Sequence, residues 1–375
     1  MIEMIRDRRW MLFTLAALVL VAAVAVCAQD RRPPDQDEAI RLKADLVTIT
    51  AAVLDRDGRA VRSLKREDFI VFEDGVEQKI AHFARTEEPF TVMLMLDFSG
   101  STLDEIALMK RAAKKFLAEL RKDDRVGVIT FSGDVKLVSD FTSDRAEIEA
   151  AIESEQPPQG SGQHRFTRKT GTSFYDALRL AVEDTSIKSV EGRKAIVCMS
   201  DGVDSTSKST YSQIATLVEK SAASVYFLEL NTEEAMIRGL LKERTDAGYI
   251  NLSPSQISRY YEEFDRDSII RNQPRDLMPP EMKRDIARGL YEIARRDMRQ
   301  LAERTGGRVY PASALTDLSA VYKQVADDLR SQYSIGYYPQ NDAHDGGWRS
   351  IRIEVRQQGA TVRARSGYWA PERRR

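Results

Sequence analysis

The chain has 375 residues, 42% of them hydrophobic and 31% charged, a balance typical of globular proteins and a length sufficient for about two domains. Its 57 basic and 58 acidic side chains give a net charge of −1. This balance excludes the strongly basic character of nucleic-acid-binding proteins, so no nucleic-acid partner is expected.

The first 28 residues predict a targeting segment. Three arginines (Arg6, Arg8 and Arg9) precede an uncharged run from Trp10 to Ala28, whose last residues are small enough for signal-peptidase cleavage. The run is also almost long enough to span a membrane, so an uncleaved membrane anchor is the alternative. Either interpretation predicts an exported protein, which is periplasmic, held in the cell envelope or secreted, with possible membrane attachment through this segment.

The next segments predict a linker and then β-structure. Residues 29–41 are Pro-rich and charged, which is typical of a linker. Residues 42–88 contain a β-rich run at Leu46–Leu54 and two strand-like runs on either side of Asp74-Gly75. Asp-Gly favours a two-residue hairpin, because a type I′ turn needs positive φ at both central residues.

Residues 89–330 alternate between strand-like and helix-like runs. Several strand-like runs are almost entirely apolar, which is typical of parallel strands covered by helices on both faces. The alternation predicts a doubly wound, mostly parallel α/β sheet. The predicted strands are Thr91–Leu96, Arg125–Phe131, Val135–Val138, Ala195–Met199, Ser224–Leu230 and Arg308–Tyr310, and the predicted helices are Leu103–Leu120, Arg145–Glu153, Ser173–Val182, Tyr211–Ala222, Met298–Glu303 and Leu318–Leu329.

Residues 231–297 predict a helical insertion between the strand that ends at Leu230 and the helix that begins at Met298. The segment is charged and has helix-like runs at Glu233–Lys242 and Pro280–Arg296. Strand-to-helix connections emerge at the carboxyl edge of a parallel sheet, so we expect the insertion beside any site at that edge. It would then be a lid or a specificity surface, since long ordered insertions are often functional. The alternative is a solvated excursion without function.

Residues 331–371 return to a β pattern. Ile351–Arg356 and Thr361–Arg365 alternate strictly between apolar and polar side chains, which predicts strands with one buried and one exposed face. A piece of two or three strands is barely stable alone. We therefore expect residues 42–88 and 331–371 to pack together as one small β-domain, either as a single sheet or as a sandwich.

Hard-oxygen donors occur in three loops of the α/β region. The first follows the run Met93–Leu96, the second opens a helix and the third follows the strand Ala195–Met199. In open α/β sheets, ligands bind beyond the carboxyl ends of the strands, so the three loops should converge. Carboxylate and hydroxyl oxygens suit Mg²⁺, Mn²⁺ or Ca²⁺ rather than zinc. The predicted metal ligands are Asp97, Ser99, Ser101, Thr172 and Asp201.

The order Asp-x-Ser-x-Ser, Gly-Thr-Ser and Ser-Asp-Gly resembles the metal-ion-dependent adhesion site (MIDAS) of von Willebrand factor A (vWA) domains. The resemblance implies a vWA or Rossmann-like fold and direct ligation by Ser99, Ser101 and Thr172. Asp97 and Asp201 would bind directly or through water, leaving about one coordination position for a partner. The Phe69–Gln78 hairpin and the C-terminal strands also resemble vWA-related exported proteins of acidobacteria, a group of unassigned function.

Catalysis has little support in the sequence. The three histidines, His82, His164 and His344, lie in no recognisable motif, and no phosphate-binding loop or Ser-His-Asp order is present. We therefore expect a binding module rather than an enzyme. The module would hold a protein partner through a bound Mg²⁺ (or Mn²⁺ or Ca²⁺) and an Asp or Glu carboxylate of the partner. The alternatives are a cell-envelope scaffold in which the metal only stabilises the fold, and metal-assisted hydrolysis.

Overall fold

The structure is a computed structural model that describes residues 46–85, 89–156, 171–183, 193–243, 250–266, 278–312 and 318–372. The predicted signal segment, the predicted linker and His164 lie outside the described residues. The chain divides into two compact units. Among the described residues, one comprises Leu46 and Val47 with Tyr338–Asp342, and the other comprises those between Thr48 and Tyr337 and between Ala343 and Glu372 and contains nearly all of the elements described below.

The described strands and helices are numbered here in chain order. The strands are β1 (Val47–Leu54), β2 (Phe69–Glu73), β3 (Val76–Gln78), β4 (Ile80–Arg85), β5 (Phe90–Asp97), β6 (Arg125–Phe131), β7 (Val135–Thr142), β8 (Arg193–Ser200), β9 (Ser224–Leu230), β10 (Arg308–Ala312), β11 (Tyr333–Tyr337), β12 (Trp348–Val355), β13 (Thr361–Ala364) and β14 (Gly367–Trp369). The α-helices are α1 (Ile106–Glu119), α2 (Arg145–Ser154), α3 (Phe174–Glu183), α4 (Tyr211–Ser221), α5 (Glu233–Leu240), α6 (Pro254–Phe264), α7 (Pro280–Thr305) and α8 (Leu318–Arg330). Two short 3₁₀ turns lie at Arg66–Asp68 and Gly100–Glu105.

The central sheet has six strands in the order β10-β9-β8-β5-β6-β7. All neighbours pair in parallel except β7, which pairs antiparallel with β6 at the edge. Alternate residues of β5 face opposite sides. Leu94 and Leu96 join an apolar cluster with Phe116 of α1, whereas Met95 joins a second cluster with Phe174 of α3. Both faces are therefore covered, as the continuous apolar runs predicted.

One helical prediction is wrong in its boundaries. The predicted helices Pro280–Arg296 and Met298–Glu303 form the single helix α7, so the predicted end of the insertion at residue 297 falls inside a helix. No helix-breaking residue separates the two runs, and buried side chains such as Leu290, Ala294 and Leu301 continue one helical face. The helix ends at Gly306, whose φ of 74° suits a C-terminal cap.

Helix α6 was not predicted. The helix-like runs predicted in the insertion, Glu233–Lys242 and Pro280–Arg296, do not include it, although its helix-start signals are present in the sequence. Ser253 accepts from the N–H of Gln256, the Gln256 side chain accepts from the N–H of Ser253, and Pro254 occupies the first turn. This reciprocal capping, together with proline at the first helical position, is a start signal that local composition obscured.

Strands from residues 42–88 and 331–371 pair with one another, which confirms the predicted association of the two flanking segments. They form two four-stranded sheets, in the orders β13-β1-β11-β4 and β14-β12-β2-β3. Antiparallel pairs join β1 to β13, β4 to β11 and β2 to β12. Asp74 and Gly75 have φ values of 48° and 83°, which confirms the turn predicted between β2 and β3. Within the described part of the chain, no helix is both long and apolar enough to cross a membrane.

Candidate metal centre

Two of the predicted ligands lie side by side because of the strand order. Strands β5 and β8 are adjacent and parallel, and Leu96 pairs with Met199. Asp97 is the last residue of β5, and Asp201 directly follows β8. Their carboxylates therefore meet at the carboxyl edge of the sheet. The residues are buried, with exposures of 0% for Asp97 and 1% for Asp201.

Hydrogen bonds join four of the predicted ligands into one cluster. Ser101 Oγ donates to Asp201 Oδ2 at 2.8 Å and lies 3.2 Å from Ser99 Oγ. The N–H of Ser99 donates to Asp97 Oδ1 at 2.9 Å. Because the Ser101 hydroxyl uses its hydrogen in the bond to Asp201, the lone pairs of Ser101 Oγ stay available to a cation.

Thr172, the fifth predicted ligand, is joined to this region through its backbone. Its N–H donates to Ser205 Oγ at 2.7 Å, and its carbonyl accepts from the N–H of Ser205 at 2.9 Å and of Thr206 at 3.1 Å. The loop that opens α3 is thus tied to the loop that follows Asp201. Among the described residues, no hydrogen bond joins Thr172 directly to the other four predicted ligands.

The electrostatics of the cluster are unfavourable without a cation. Asp97 accepts from Ser200 Oγ at 2.5 Å. Burial, with the negative charge of Asp201 as the next cause, raises the pKa of Asp97 to about 7. In the described part of the chain, no lysine or arginine side chain pairs with either carboxylate. Two buried like charges without a counter-charge are costly, and a divalent cation would offset that cost.

The donor set fits a hard cation. No group of three or more His, Cys, Asp or Glu side chains that could hold a metal occurs in the described ranges. A cation here would therefore depend on two carboxylates and on the hydroxyls of Ser99, Ser101 and Thr172. All are oxygen donors, which Mg²⁺, Mn²⁺ and Ca²⁺ accept, whereas zinc sites are typically built from nitrogen and sulfur.

Three residues that contact the carboxylates were missing from the prediction. Ser200 bonds Asp97, as described above. Thr232 Oγ1 donates to Asp201 Oδ2 at 2.5 Å, and Tyr291 Oη lies 3.3 Å from the same oxygen. Ser200 directly precedes Asp201, so its involvement could have been inferred from the sequence. Thr232 and Tyr291 lie in the predicted insertion and carry no sequence signal for this role.

The predicted insertion contacts the loops of the site at further points. Ser253 Oγ and Ser255 Oγ, at the start of α6, donate to the carbonyl of Ser205 at 2.9 and 2.6 Å. Arg259 of α6 pairs with Asp297 of α7 and contacts the hydroxyl of Tyr175 of α3. The insertion therefore braces both the loop that follows Asp201 and the helix that follows Thr172.

Comparisons with known proteins found several similar chains. A search of curated proteins found no match. An aerotolerance-related membrane protein from Bacteroides fragilis NCTC 9343, with multiple mutations to serines, is 18% identical, covers 64% of this chain and 98% of its own, and has a TM-score of 0.40. A von Willebrand factor type A protein from Catenulispora acidiphila is 10% identical, with coverages of 88% and 74% and a TM-score of 0.40. Proximal thread matrix protein 1 from the mussel byssus, solved with a zinc-occupied MIDAS motif, is 12% identical, with coverages of 68% and 49% and a TM-score of 0.42.

Residues 92–203 match the family model of the von Willebrand factor type A domain. This segment contains all five predicted metal ligands and runs from β5 to the loop after β8. The chain therefore contains a von Willebrand factor type A domain.

Proposed function

We propose that this chain is an exported binding module that holds a protein partner through a divalent cation, preferably Mg²⁺, with Mn²⁺ or Ca²⁺ as alternatives. The observation that carries the proposal is the buried pair Asp97 and Asp201, which lies beside serine hydroxyls and has no positive side chain against it in the described ranges. When bound, the cation would attract a carboxylate from an Asp or Glu of the partner.

The predicted ligands would have different roles in holding the cation. Asp97 and Asp201 supply the negative charge that holds the cation, whereas Ser99, Ser101 and Thr172 supply oxygens without further charge. These five oxygen donors leave about one of six coordination positions for a carboxylate from outside. The Ser200 hydroxyl and the Ser99 N–H hold the Asp97 carboxylate in place from opposite oxygens.

A binding role fits the placement of the histidines better than catalysis does. Among the described residues, His82 lies on β4 of a flanking sheet, and His344 lies in the loop before β12. Neither is on a loop at the carboxyl edge of the central sheet, so neither is placed to move a proton beside Asp97 or Asp201.

A second candidate function is a cell-envelope scaffold in which the cation only stabilises the fold. The like charges of Asp97 and Asp201 favour this alternative, because a cation would relieve their repulsion whether or not a partner is present. The two candidates differ in what happens to a partner when the cation is removed.

Affinity capture from an envelope extract, with and without Mg²⁺, tests the proposal. We expect wild type to retain a partner in Mg²⁺ and lose it in excess EDTA. Asp97→Ala should capture nothing in either condition and still fold, because it removes one of two repelling buried charges. Asp57→Ala, which changes an exposed aspartate paired with Arg59, is the matched control and should behave as wild type.

Thermal unfolding combined with the capture result separates the two candidates. At a Mg²⁺ concentration of about 100 times Kd, the free energy of unfolding of wild type should rise by about 2.7 kcal/mol, and that of Asp97→Ala should not change. Capture that persists in EDTA would contradict the binding module. A rise in stability with equal capture in both conditions would instead support the scaffold.

A further inference from the structure

Asp201 is held by the predicted insertion as well as by its own loop. Its Oδ2 is within hydrogen-bonding distance of three hydroxyls, Ser101 Oγ at 2.8 Å, Thr232 Oγ1 at 2.5 Å and Tyr291 Oη at 3.3 Å. Its Oδ1 accepts from the N–H of Val203 at 3.0 Å. A carboxylate oxygen has two lone pairs, so at most two of the three hydroxyls donate to Oδ2 at the same time.

Tyr291 and Thr232 act together on this oxygen. Their own hydroxyls are 2.7 Å apart, so Thr232 accepts from Tyr291 when it donates its own hydrogen to Asp201. Both residues are buried, with exposures of 1% and 4%. Thr232 directly precedes α5 and Tyr291 is in the middle of α7, so the contact joins the two helices at the carboxylate.

The position of the Tyr291 hydroxyl is set by the packing of the insertion. Tyr291 belongs to an apolar cluster that includes Ile237 and Leu240 of α5 and Leu290 of α7. The Arg295 guanidinium lies 5.6 Å from the centre of the Tyr291 ring and also pairs with Glu229 at 3.0 Å and Glu233 at 2.6 Å. These contacts leave α7 little freedom to rotate and therefore hold the hydroxyl against Asp201.

We propose that Tyr291, acting with Thr232, is a positioning residue that sets the cation affinity through Asp201, which makes the α5–α7 insertion a working part of the metal centre. The inference rests on the proposed metal-binding function. Residues that hold metal ligands in place typically change metal affinity by about 10–100-fold when they are replaced. If Asp201 is fixed in place, the Ser101 hydroxyl continues to donate its hydrogen bond to Asp201, and its lone pairs continue to face the cation.

The competing explanation is purely structural. A buried tyrosine hydroxyl needs a hydrogen-bond partner, and a nearby carboxylate could satisfy it without any effect on a cation. In that case the loss of the hydroxyl would change the stability of the cation-free chain and leave the cation affinity unchanged.

Isothermal titration calorimetry with Mg²⁺ on Tyr291→Phe separates these explanations. We expect roughly tenfold weaker binding, because the ring packing is retained and only the hydroxyl is lost. Thr232→Val, which removes the partner hydroxyl at similar volume, should weaken binding in the same direction. The matched control is Tyr211→Phe. Tyr211 lies on α4, and its hydroxyl donates to the side chain of Gln300 on α7, the helix that also carries Tyr291, at 2.7 Å.

The electron paramagnetic resonance spectrum of bound Mn²⁺ gives a readout that packing alone would not move. Tyr291→Phe and Thr232→Val should alter the spectrum through the ligand geometry, and Tyr211→Phe should leave it as in wild type. Equal Mg²⁺ affinity and equal spectra in wild type and both site variants would overturn the inference, as would an equal loss in the Tyr211→Phe control. A wild-type chain that binds no cation would overturn the proposed function itself.

Discussion

Asp204 is a half-buried residue three positions after Asp201, and the charge of its carboxylate is unfavourable in the folded chain. It accepts from the N–H of Phe174 at 3.0 Å and from Ser207 Oγ at 2.5 Å. Burial outweighs these bonds and raises the pKa of Asp204 from 3.8 to about 6. The folded state therefore binds a proton more tightly than the unfolded state, so stability from this residue is present below pH 4 and is lost as pH rises through about 6.

Asp204→Asn should remove this dependence on pH. The difference in the free energy of unfolding, variant minus wild type in EDTA, should increase by about 2–3 kcal/mol from pH 4 to pH 7, because the variant lacks the raised pKa that costs wild type stability over this range. Urea unfolding at several pH values measures the difference in free energy of unfolding between the variant and wild type. The test is how this difference changes with pH, not its value at any single pH.

Asp176 offers the matched control because its pKa moves the other way. Partial burial raises the pKa of Asp176, but bonds from the N–H groups of Lys208 and Ser209 outweigh it and lower the pKa below its usual value. Asp176→Asn should therefore show no gain over wild type between pH 4 and pH 7. The same gain in both variants would contradict the assignment to Asp204.

At the scale of elements, the turn from α7 into β10 depends on two glycines with different roles. Gly306 has positive φ and caps the helix. Gly307 lies against β9, where a Cβ atom would be 1.8 Å from the carbonyl oxygen of Val225. The obstacle is backbone rather than a flexible side chain, so β10 cannot pair with β9 at this spacing if residue 307 carries a side chain.

Gly307→Ala should therefore lower the free energy of unfolding by about 3 kcal/mol or more, because the backbone of β9 or β10 has to move. Thermal or urea unfolding of the cation-free chain measures this. The comparison is Gly58→Ala, where φ is 75° but no atom lies within 4 Å of the added Cβ. That change should cost only about 1–2 kcal/mol of backbone strain. Equal costs at both positions would contradict the steric explanation.

At the scale of the whole molecule, the flanking sheets join the two ends of the described chain. Tyr337 Oη of β11 donates to Glu73 Oε2 of β2 at 2.7 Å, and Tyr333 Oη donates to the carbonyl of Val61 at 2.8 Å. Arg363 of β13 pairs with Asp328 of α8, so a flanking sheet is also bonded to a helix of the α/β region. Residues far apart in sequence thus depend on each other for burial.

This arrangement predicts one cooperative unfolding transition for the sheets and the vWA domain. Differential scanning calorimetry of cation-free protein should show a single peak. Arg363→Met should lower its midpoint without splitting it, since a buried Asp328 left without its partner costs about 3–5 kcal/mol. Two separate peaks, in wild type or in the variant, would show that the sheets and the α/β region unfold independently.

Local patterns in the sequence determined the alternation of strands and helices, the Asp74-Gly75 turn and the position of Asp97 and Asp201 at strand ends. These features depend on periodicity and turn chemistry over a few residues, and the parallel topology then brings strand ends to one edge. For the same reason Asp97, Ser99, Ser101 and Asp201 could be predicted to lie together before their hydrogen bonds were known.

Only the tertiary structure decided which residues support the carboxylates from outside their own loops. Tyr291 reaches Asp201 because α7 packs on α5, which brings together residues 90 positions apart in the sequence. The division of the flanking strands into two sheets, each with strands from both flanking segments, likewise depends on which edges meet in space. Local periodicity shows which face of an element is apolar, but the identity of the neighbour against that face is settled only when the whole chain packs.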